Sequence, residues 1–370
     1  MKNKIFFIMF MFVWITLILL NFILPKQTFS EQENRYLSKL PSFNYEDLVN
    51  GVYSENLDTF INDHFVFRNF FLKLNSFLQV STGKAENNDV YIGKDGYLFE
   101  KFDYNSEKEK NIQKAALIIN DFAKKIEVPS YFMLIPNSIY INKNKLPENV
   151  EVASQNEIIN DVYDICENTI NVYTVPTLLK NKNKDLYFKT DHHMTSYGSY
   201  LIYQDFCKKA NIRAVSLRDF KEEIVATDFL GTLDSKAQII NQEKDIIKVY
   251  KNSINENIEV NYDGKIYNSI FNEDYLDKKD KYSYFLNGNN AKVVVKTKIN
   301  NGKKLLVIKD SYAHILSQFL CQNYEEVHFI DPRYYNLPVS EYIEENNITE
   351  TLFVYNVSNL INDTGIRLLR

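Results

Sequence analysis

The sequence predicts an α/β protein with a doubly wound parallel sheet, an inserted β-rich lobe and one N-terminal transmembrane helix. The C-terminal part alternates short apolar runs with helical patterns, which is typical of a parallel sheet with right-handed crossovers. Residues 222–300 are richer in Asn, Asp and Lys and contain only short β-type runs. The chain also starts with a long uncharged apolar run. Its 370 residues are enough for one large domain with an insertion.

The N-terminus predicts a membrane anchor. Residues 1–4 contain two lysines, and residues 5–24 form an apolar run in which only Thr16 and Asn21 are polar. A run of this length can cross a bilayer as a helix, and the preceding lysines predict a cytoplasmic N-terminus. Residues 28–30 resemble a signal-peptide cleavage site only poorly, so we favour an uncleaved anchor over a cleaved signal peptide. Both alternatives place the rest of the chain outside the cytoplasm.

The remaining residues divide into two segments. Residues 25–80 are predicted to be a juxtamembrane stretch with a helical pattern from about 44 to 78, and residues 81–370 to be the main domain, with its lobe at about 222–300. In the main domain, Asp95-Gly96 separates two β-prone runs, which predicts a hairpin over residues 90–99. The sequence further predicts helices at about 106–125 and 196–210, an apolar strand at 130–135, and short strands near 172–173, 246–250 and 292–297.

The clearest α/β pattern lies near the C-terminus. Strands are predicted at 305–308, 327–330 and 351–355, and helices at 314–323 and 340–346. Active sites of such sheets lie at the carboxyl ends of the strands. This rule selects Ser311, the run Asp331-Pro332-Arg333, and Asn356.

Composition excludes some classes of function. The formal net charge is −5 and gives no general basic field, which argues against nucleic acid as a partner. Three cysteines without CxxC spacing argue against a zinc ribbon or a dithiol redox motif. We favour buried free thiols, while one disulfide between any two of Cys166, Cys207 and Cys321 stays open.

Ser311 is a candidate nucleophile. It follows an apolar strand and precedes a helix, so its hydroxyl should lie at the sheet edge. Its backbone N–H should lie at a helix N-terminus, where negative charge is stabilised. An ordinary helix-capping serine occurs at the same position, and spacing alone leaves both interpretations open.

The candidate base lies in the run from Thr190 to Thr195. Asp191 stands two residues before His193, so its carboxylate can hydrogen-bond the imidazole and stabilise the imidazolium. Asp191, His192 and His193 could instead hold a metal, although no second cluster of ligands is apparent. Asp191 or Thr195 could also be a helix N-cap without chemistry. His314 or His328 could be the base, but His314 is only three residues after Ser311 on a predicted helix.

Several further motifs occur in a shared order along the chain. They are Glu33-Asn34-Arg35-Tyr36-Leu37 with Pro41, Asp63-His64-Phe65-Val66-Phe67-Arg68, Tyr91-Ile92-Gly93-Lys94-Asp95-Gly96-Tyr97-Leu98-Phe99, Pro136-Asn137, Tyr284-Phe285-Leu286-Asn287-Gly288-Asn289 and Lys309-Asp310-Ser311-Tyr312-Ala313. With Thr190-Asp191-His192-His193 and Asp331-Pro332-Arg333-Tyr334, the chain resembles the DHHW family of Gram-positive bacteria. That family is related to the AlgX/AlgJ alginate O-acetyltransferases, which have an SGNH-hydrolase-like domain. Met194 departs from the family pattern, which has Trp there, and this puts glycan affinity in doubt more than the triad.

The resemblance implies a catalytic triad of Ser311, His193 and Asp191. The Asp-x-His pair then precedes the Ser, which is a circularly permuted order relative to ordinary SGNH hydrolases. His192 becomes a bystander or a supporting group, and Arg333 and Tyr312 are further candidates to support the triad or contact substrate. No metal and no cofactor are implied.

The resemblance also implies an oxyanion hole. The backbone N–H of Ser311 is the first expected donor. A side-chain amide should supply another, and the candidates are Asn356, Asn289 and Asn137. Each of these could equally be a turn residue.

The implied activity passes through an acyl-Ser311 intermediate. Attack by a sugar hydroxyl would make the protein an O-acetyltransferase of a cell-surface polysaccharide or wall polymer, with acetyl groups supplied by an MBOAT-type membrane partner. Attack by water would make it a carbohydrate esterase. A non-catalytic glycan-binding or assembly protein with the same fold, and a metal-dependent hydrolase, are the alternatives of other classes.

Overall fold

The structure is a computed structural model that describes residues 2–369, with side chains described from residue 4 onward. These residues form two compact units. The first contains the residues up to Asn88 together with Ser235–Asn241; the second contains Asp89–Asp234 and the residues from Gln242 onward. The boundary therefore falls at residue 88 rather than at the expected residue 80. A short part of the expected lobe also belongs to the first unit.

The first unit starts with one long apolar helix. Its elements are α1 (Lys2–Ile23), β1 (Phe29–Ser30), β2 (Arg35–Tyr36), α2 (Tyr45–Val49), α3 (Val52–Asp63), α4 (Arg68–Ser81) and β3 (Glu86–Asn87). Over Lys4–Ile23, α1 is long and apolar enough to cross a membrane, a property that it shares with signal sequences. The continuous helix expected from 44 to 78 is divided into α2, α3 and α4. Gly51, with φ +79, separates α2 from α3.

The second unit contains the expected alternation of strands and helices. Its first half has β4 (Val90–Ile92), β5 (Leu98–Glu100), α5 (Ser106–Lys125), β6 (Ser130–Ile135), α6 (Ser138–Ile141), α7 (Gln155–Ile165), β7 (Ile170–Asn171), α8 (Val175–Lys180) and α9 (Ser196–Lys209). Then follow β8 (Lys221–Phe229), α10 (Thr232–Ala237), β9 (Asp245–Lys251), β10 (Glu259–Tyr262), β11 (Lys265–Tyr267), β12 (Lys292–Lys296), β13 (Lys304–Lys309), α11 (Ala313–Leu320), β14 (Glu326–Ile330), α12 (Val339–Glu345), β15 (Glu350–Asn356) and α13 (Val357–Asn362). The last three residues of α10 belong to the first unit. The hairpin of β4 and β5 is antiparallel, as its Asp-Gly turn predicts. The strand expected near 172–173 is β7, two residues earlier in the chain, and Tyr187 forms an isolated bridge with Met194.

The main sheet has eight strands in the order β11-β10-β12-β14-β13-β15-β6-β7. The five strands from β14 to β7 are parallel. β12 pairs with β14 in the antiparallel sense, and β10 and β11 extend the sheet from there. The sheet is therefore mixed, with a parallel part and an antiparallel edge.

Helices cover both faces of the parallel part. In β13, Leu305 and Val307 point into one core with side chains of α9 and α11. Leu306 and Ile308 point into the other core, which is formed with α5, α7, α12 and α13. Because successive side chains of a strand face opposite sides, an uninterrupted apolar run is what a strand buried on both faces requires. The doubly wound prediction is thus correct for this part of the sheet.

The expected β-rich lobe over 222–300 is smaller than predicted. Only β8 and β9 form a separate two-stranded sheet. β10, β11 and β12 instead belong to the main sheet, where Val293 and Val295 of β12 are buried in its core. The sequence pattern identified the strands but could not identify their partners, because cross-strand pairing is set by packing. The three cysteines are buried and free, as favoured.

Candidate active site

Asp191 and His193 lie in a short loop that closes on itself before α9. The backbone N–H of Phe188 donates to the carbonyl of His193 at 3.1 Å, next to the Tyr187–Met194 bridge. The helix that follows is capped by Thr195, whose Oγ1 accepts a hydrogen bond from the N–H of Gly198 at 3.1 Å. Thr195 and not Asp191 is therefore the N-cap, and the carboxylate of Asp191 is available for another partner.

Three of the predicted residues form a continuous chain of hydrogen bonds. Ser311 Oγ lies 2.8 Å from Nε2 of His193, and Nδ1 of the same ring lies 2.6 Å from Oδ1 of Asp191. Asp191 and His193 are only 1% and 5% exposed, whereas Ser311 is half-buried. The imidazole and the carboxylate are thus shielded from water, and the serine is the most accessible of the three residues. This is the geometry of a nucleophile, a base and a group that orients the base.

The second oxygen of Asp191 is held by a segment that the sequence did not single out. Thr232, at the start of α10, donates to Oδ2 of Asp191 from its backbone N–H at 2.8 Å and from its hydroxyl at 3.0 Å. A Cβ built on Gly231 would lie 2.4 Å from the same oxygen, so only glycine fits there. No motif signalled this contact, because Gly231-Thr232 lies 40 residues further along the chain.

The protonation states suit a base that is neutral at rest. Burial lowers the pKa of His193 to about 4, helped by the neighbouring imidazole of His192 and opposed by Asp191. Burial alone would raise the pKa of Asp191, but the two facing imidazoles and the hydrogen bonds from His193 and Thr232 outweigh it and lower that pKa. Near neutral pH the site therefore holds an ionised Asp191 and a neutral His193, which can accept a proton from Ser311.

A buried carboxylate of β9 also holds the loop that carries Asp191 and His193. Asp245 accepts hydrogen bonds from the backbone N–H groups of Lys189 and Thr190, both at 2.8 Å, and from the hydroxyl of Thr190 at 2.6 Å. Burial raises the pKa of Asp245, and these hydrogen bonds oppose the rise. Part of the inserted lobe thus holds the Asp-x-His loop in place.

The turn that carries Ser311 is fixed by the residue before it. Asp310 is buried and accepts three hydrogen bonds of 2.8 Å, from the backbone N–H groups of Tyr312 and Asn356 and from the amide of Asn359. α11 starts at Ala313 and has Tyr312 as its cap residue, without a side-chain cap bond. Ser311 is therefore not a capping serine, and its own N–H has no acceptor among residues 2–369.

Aromatic rings enclose the imidazole of His193. The ring of Tyr282 stacks on it with a centroid distance of 3.6 Å, and its hydroxyl donates to the carbonyl of Ser311 at 2.9 Å. The ring of His192 lies 3.8 Å away by centroids, and its Nδ1 is 2.7 Å from the hydroxyl of Thr232. Tyr312 is buried and donates to the carbonyl of His192. Tyr282 was not among the predicted site residues.

Lys309, two residues before Ser311, belongs to a buried cluster of polar and charged side chains. Lys309 Nζ is 3.2 Å from Oδ2 of Asp331 and 3.0 Å from Nε2 of His314. Asp331 also accepts two hydrogen bonds from Arg333, at 2.9 and 2.7 Å. Burial lowers the pKa of both Lys309 and His314. The guanidinium of Arg333 is partly exposed, so it connects this buried group to the surface.

Two of the three oxyanion candidates belong to one buried network. The amide of Asn137 donates to Oδ1 of Asn356 at 2.9 Å, and the amide of Asn356 donates to the carbonyl of Ile135 at 3.2 Å. Oδ1 of Asn356 also caps α13 through the N–H of Ser358. These contacts join the ends of β6 and β15 and give both amides a structural role. Asn289 is exposed. An oxyanion role for any of them stays a prediction.

The alternative chemistries fit the geometry less well. Ligand atoms of Asp191, His192 and His193 lie within 4.8 Å of one another, so these residues could hold a metal ion. A metal would have to displace the hydrogen bonds that occupy both ring nitrogens of His193. His314 is bonded to Lys309, and His328 to Tyr342 and Glu326, so neither faces Ser311 as a base.

Comparison with known protein families and solved structures identifies the same family as the sequence motifs. The family model for DHHW proteins matches residues 78–330, well over half of the chain. The chain belongs to the DHHW family. A solved DHHW family protein from Eubacterium siraeum has 25% identity and a TM-score of 0.69, and the match covers 77% of this chain and 96% of that one. No curated protein matches the chain.

Two further solved structures have less similar sequences. Bacillus cereus PatB1, solved with a sulfonyl adduct, has 23% identity and a TM-score of 0.65, with 77% of this chain and 100% of that chain covered. The O-acetyltransferase domain of Pseudomonas putida AlgJ has 13% identity and a TM-score of 0.48, with coverages of 74% and 92%. The PatB1 match shows a shared fold. In this DHHW protein, Met194 is buried in the core, so it packs the loop and does not face a sugar.

Proposed function

We propose that this DHHW protein is a membrane-anchored serine acyltransferase that O-acetylates a cell-surface polysaccharide or wall polymer outside the cytoplasm. The observation that carries the proposal is the hydrogen-bonded series from Ser311 through His193 to Asp191. Its distances of 2.8 and 2.6 Å suit proton transfer from the hydroxyl to the imidazole. The resemblance to acetyl-transferring relatives supports acetyl as the group transferred.

In the first half-reaction, Ser311 Oγ attacks the carbonyl carbon of the acyl donor while Nε2 of His193 takes its proton. The negative charge on the carbonyl oxygen is stabilised by the N–H of Ser311, which has no other acceptor among the described residues. Collapse of the tetrahedral intermediate breaks the bond to the leaving group, and His193 returns the proton to it. The product is an acetyl ester on Ser311.

In the second half-reaction, a sugar hydroxyl attacks the acetyl-serine while His193 takes its proton. Collapse forms the new ester and gives the proton back to Ser311 Oγ. Asp191 stays ionised throughout and stabilises the imidazolium that forms twice in each cycle. If water takes the place of the sugar hydroxyl, the same steps make the protein a carbohydrate esterase.

Location and partners are further parts of the proposal. α1 supports an anchor, and an uncleaved anchor with a cytoplasmic N-terminus would place the site on the outer side of the membrane. An MBOAT-type membrane acyltransferase would then supply the acetyl groups. A glycan-binding or assembly role without catalysis is the alternative, and it predicts that replacing Ser311 has no effect.

The test uses the full chain in detergent with a chromogenic acetyl ester. Wild type is compared with Ser311→Ala and His193→Ala, and Ser54→Ala, an exposed serine of α3, is the matched control. Ester turnover should be lost in both site variants and kept in the control. Mass spectrometry should find an acetyl group on Ser311, and a sulfonyl fluoride should block its formation.

Added oligosaccharide distinguishes the two enzymatic outcomes. An acetylated sugar shows transfer, whereas free acetate alone shows an esterase. A folded wild-type protein with neither turnover nor adduct would contradict the proposed activity and support the binding role.

A further inference from the structure

Helix α4 in the first unit has an unusual orientation. Its apolar side chains recur at positions that fall on about one third of the helix circumference. In a soluble domain this stripe faces the core, but in α4 it faces outward. Phe70, Phe71, Leu74, Phe77 and Leu78 are between 38% and 62% exposed.

The inner face of α4 is the more polar one. Ser76 is buried and donates to the carbonyl of Ala237 at 3.0 Å, and the amide of Asn87 donates to Ser76 Oγ at 3.1 Å. Arg68, at the start of the helix, pairs with Glu33 at 3.1 Å. The helix is thus held by polar contacts on the side where a soluble protein would place its apolar residues.

The start of α4 lies beside the end of the apolar helix α1. Lys26 Nζ, just after α1, donates to the carbonyl of His64 at 3.3 Å. Asn21 near the end of α1 and Leu24 just after it line the same cavity of about 220 Å³ as Phe67 and Arg68 at the start of α4. If α1 spans a bilayer, its end lies at the membrane surface, and so does the start of α4.

The charges of α4 also fit a lipid surface. Its 14 residues include no acidic residue, and Lys73 is an exposed cation, whereas Arg68 is already paired with Glu33. The short helices before it differ, since α2 and α3 carry acidic residues in their first turns. Basic residues beside a stripe of Phe and Leu are typical of helices that lie in the interfacial region of an anionic bilayer.

We propose that α4 lies in the surface of the bilayer, with Phe70, Leu74 and Phe77 inserted among the lipids. This membrane contact is additional to the spanning helix and does not depend on the catalytic proposal. It also gives a role to two sequence motifs that lie outside the active site. Glu33 and Arg35 of the first motif precede α2, and Asp63 and Arg68 of the second lie at the junction of α3 and α4. Arg35 pairs with Asp63, and Glu33 pairs with Arg68.

The test measures tryptophan quenching by brominated lipids in vesicles of phosphatidylcholine and phosphatidylglycerol that contain the full chain. The only tryptophan is Trp14, in α1, and it reports insertion of the span. In a Trp14→Phe background, Phe77→Trp reports the outer face of α4. Asn69→Trp is the matched control, since Asn69 is exposed on the same helix but outside the stripe.

The Phe77→Trp reporter should be quenched at least about twofold, and the Asn69→Trp reporter much less. Equal quenching of the two reporters, or none at Phe77→Trp while Trp14 is quenched, would overturn the proposal. An unquenched Trp14 would overturn it as well, because the proposal requires α1 in the bilayer. A third outcome is that brominated lipid does not quench Phe77→Trp, but that its protection from aqueous iodide increases with the number of chains per vesicle. This outcome would overturn the proposal and assign the face to a second copy of the chain.

Discussion

The phenol ring of Tyr282 lies parallel to the imidazole of His193, with an interplanar angle of 8° and a centroid distance of 3.6 Å. The same tyrosine donates its hydroxyl hydrogen to the carbonyl of Ser311 at 2.9 Å. One side chain therefore touches the candidate base and the backbone of the candidate nucleophile. Tyr282 is buried, so it acts as a positioning residue and does not contact substrate.

Replacing Tyr282 should separate its two contacts. Tyr282→Phe keeps the stacked ring and loses one hydrogen bond, so kcat should fall by less than about tenfold. Tyr282→Leu also removes the ring that stacks on the imidazole of His193. The imidazole is then held less firmly, and kcat should fall by about a hundredfold. The pH profile distinguishes positioning from a general loss of structure, because water reaching His193 should move the acidic limb of kcat/KM to higher pH. Tyr267→Leu, at an exposed tyrosine of β11, should change neither value.

The pKa of His193 predicts the pH range of activity. Only the neutral imidazole can take a proton from Ser311, and burial lowers the pKa of His193 from 6.5 to about 4. Activity should therefore rise as the pH increases through about 4 and be nearly constant from there to neutrality. Initial rates of ester turnover measured from pH 3.5 to 8 give this limb. A limb at 6.5 or above would mean that the imidazole is open to solvent.

Gly231 should be essential without touching substrate. In Gly231→Ala, the new Cβ would lie 2.3 Å from Cβ of Asp191, so the carboxylate has to move. A displacement of this size should lower kcat by about a hundredfold or more, with little change in KM. Circular dichroism should show that the variant is folded.

A second glycine provides the control for this variant. Gly264→Ala has open space around the new Cβ, although φ is +94. The strained backbone should cost about 1 kcal/mol of stability and leave kcat unchanged. Equal losses of kcat in both variants would contradict a specific role of Gly231.

Lys309 should matter for stability. Lys309→Met leaves Asp331 with Arg333 as its remaining cation and removes the partner of His314 Nε2. Removing one member of a buried ion pair should lower the free energy of unfolding by about 3 kcal/mol. Urea titrations in detergent measure the loss. Lys303→Met, at a lysine that is 41% exposed and pairs with Glu350, should cost less than about 1 kcal/mol.

Much of the fold follows from local patterns in the sequence. Helix α5 and strand β6 have the predicted bounds, because Asn105 caps the helix through two backbone N–H groups and β6 is a continuous apolar run. The pairing of β12 with β14 could not be predicted. An apolar strand can pair with any neighbour of matching length, and the choice depends on the packing of the whole sheet.

The sequence by itself determined the kinds of chemical group at the candidate site. Asp191 and His193 are two residues apart, so one short loop joins carboxylate and imidazole, and the strand–turn–helix around Ser311 places a hydroxyl at the sheet edge. The sequence thus specified these groups and the DHHW motifs. Only the tertiary structure decided that Ser311 meets His193, because the two residues are 118 positions apart in the chain and no local constraint sets their distance. It also decided that Thr232, Asp245 and Tyr282 hold the loop, since contacts between distant segments are fixed by packing and leave no periodic signal in the chain.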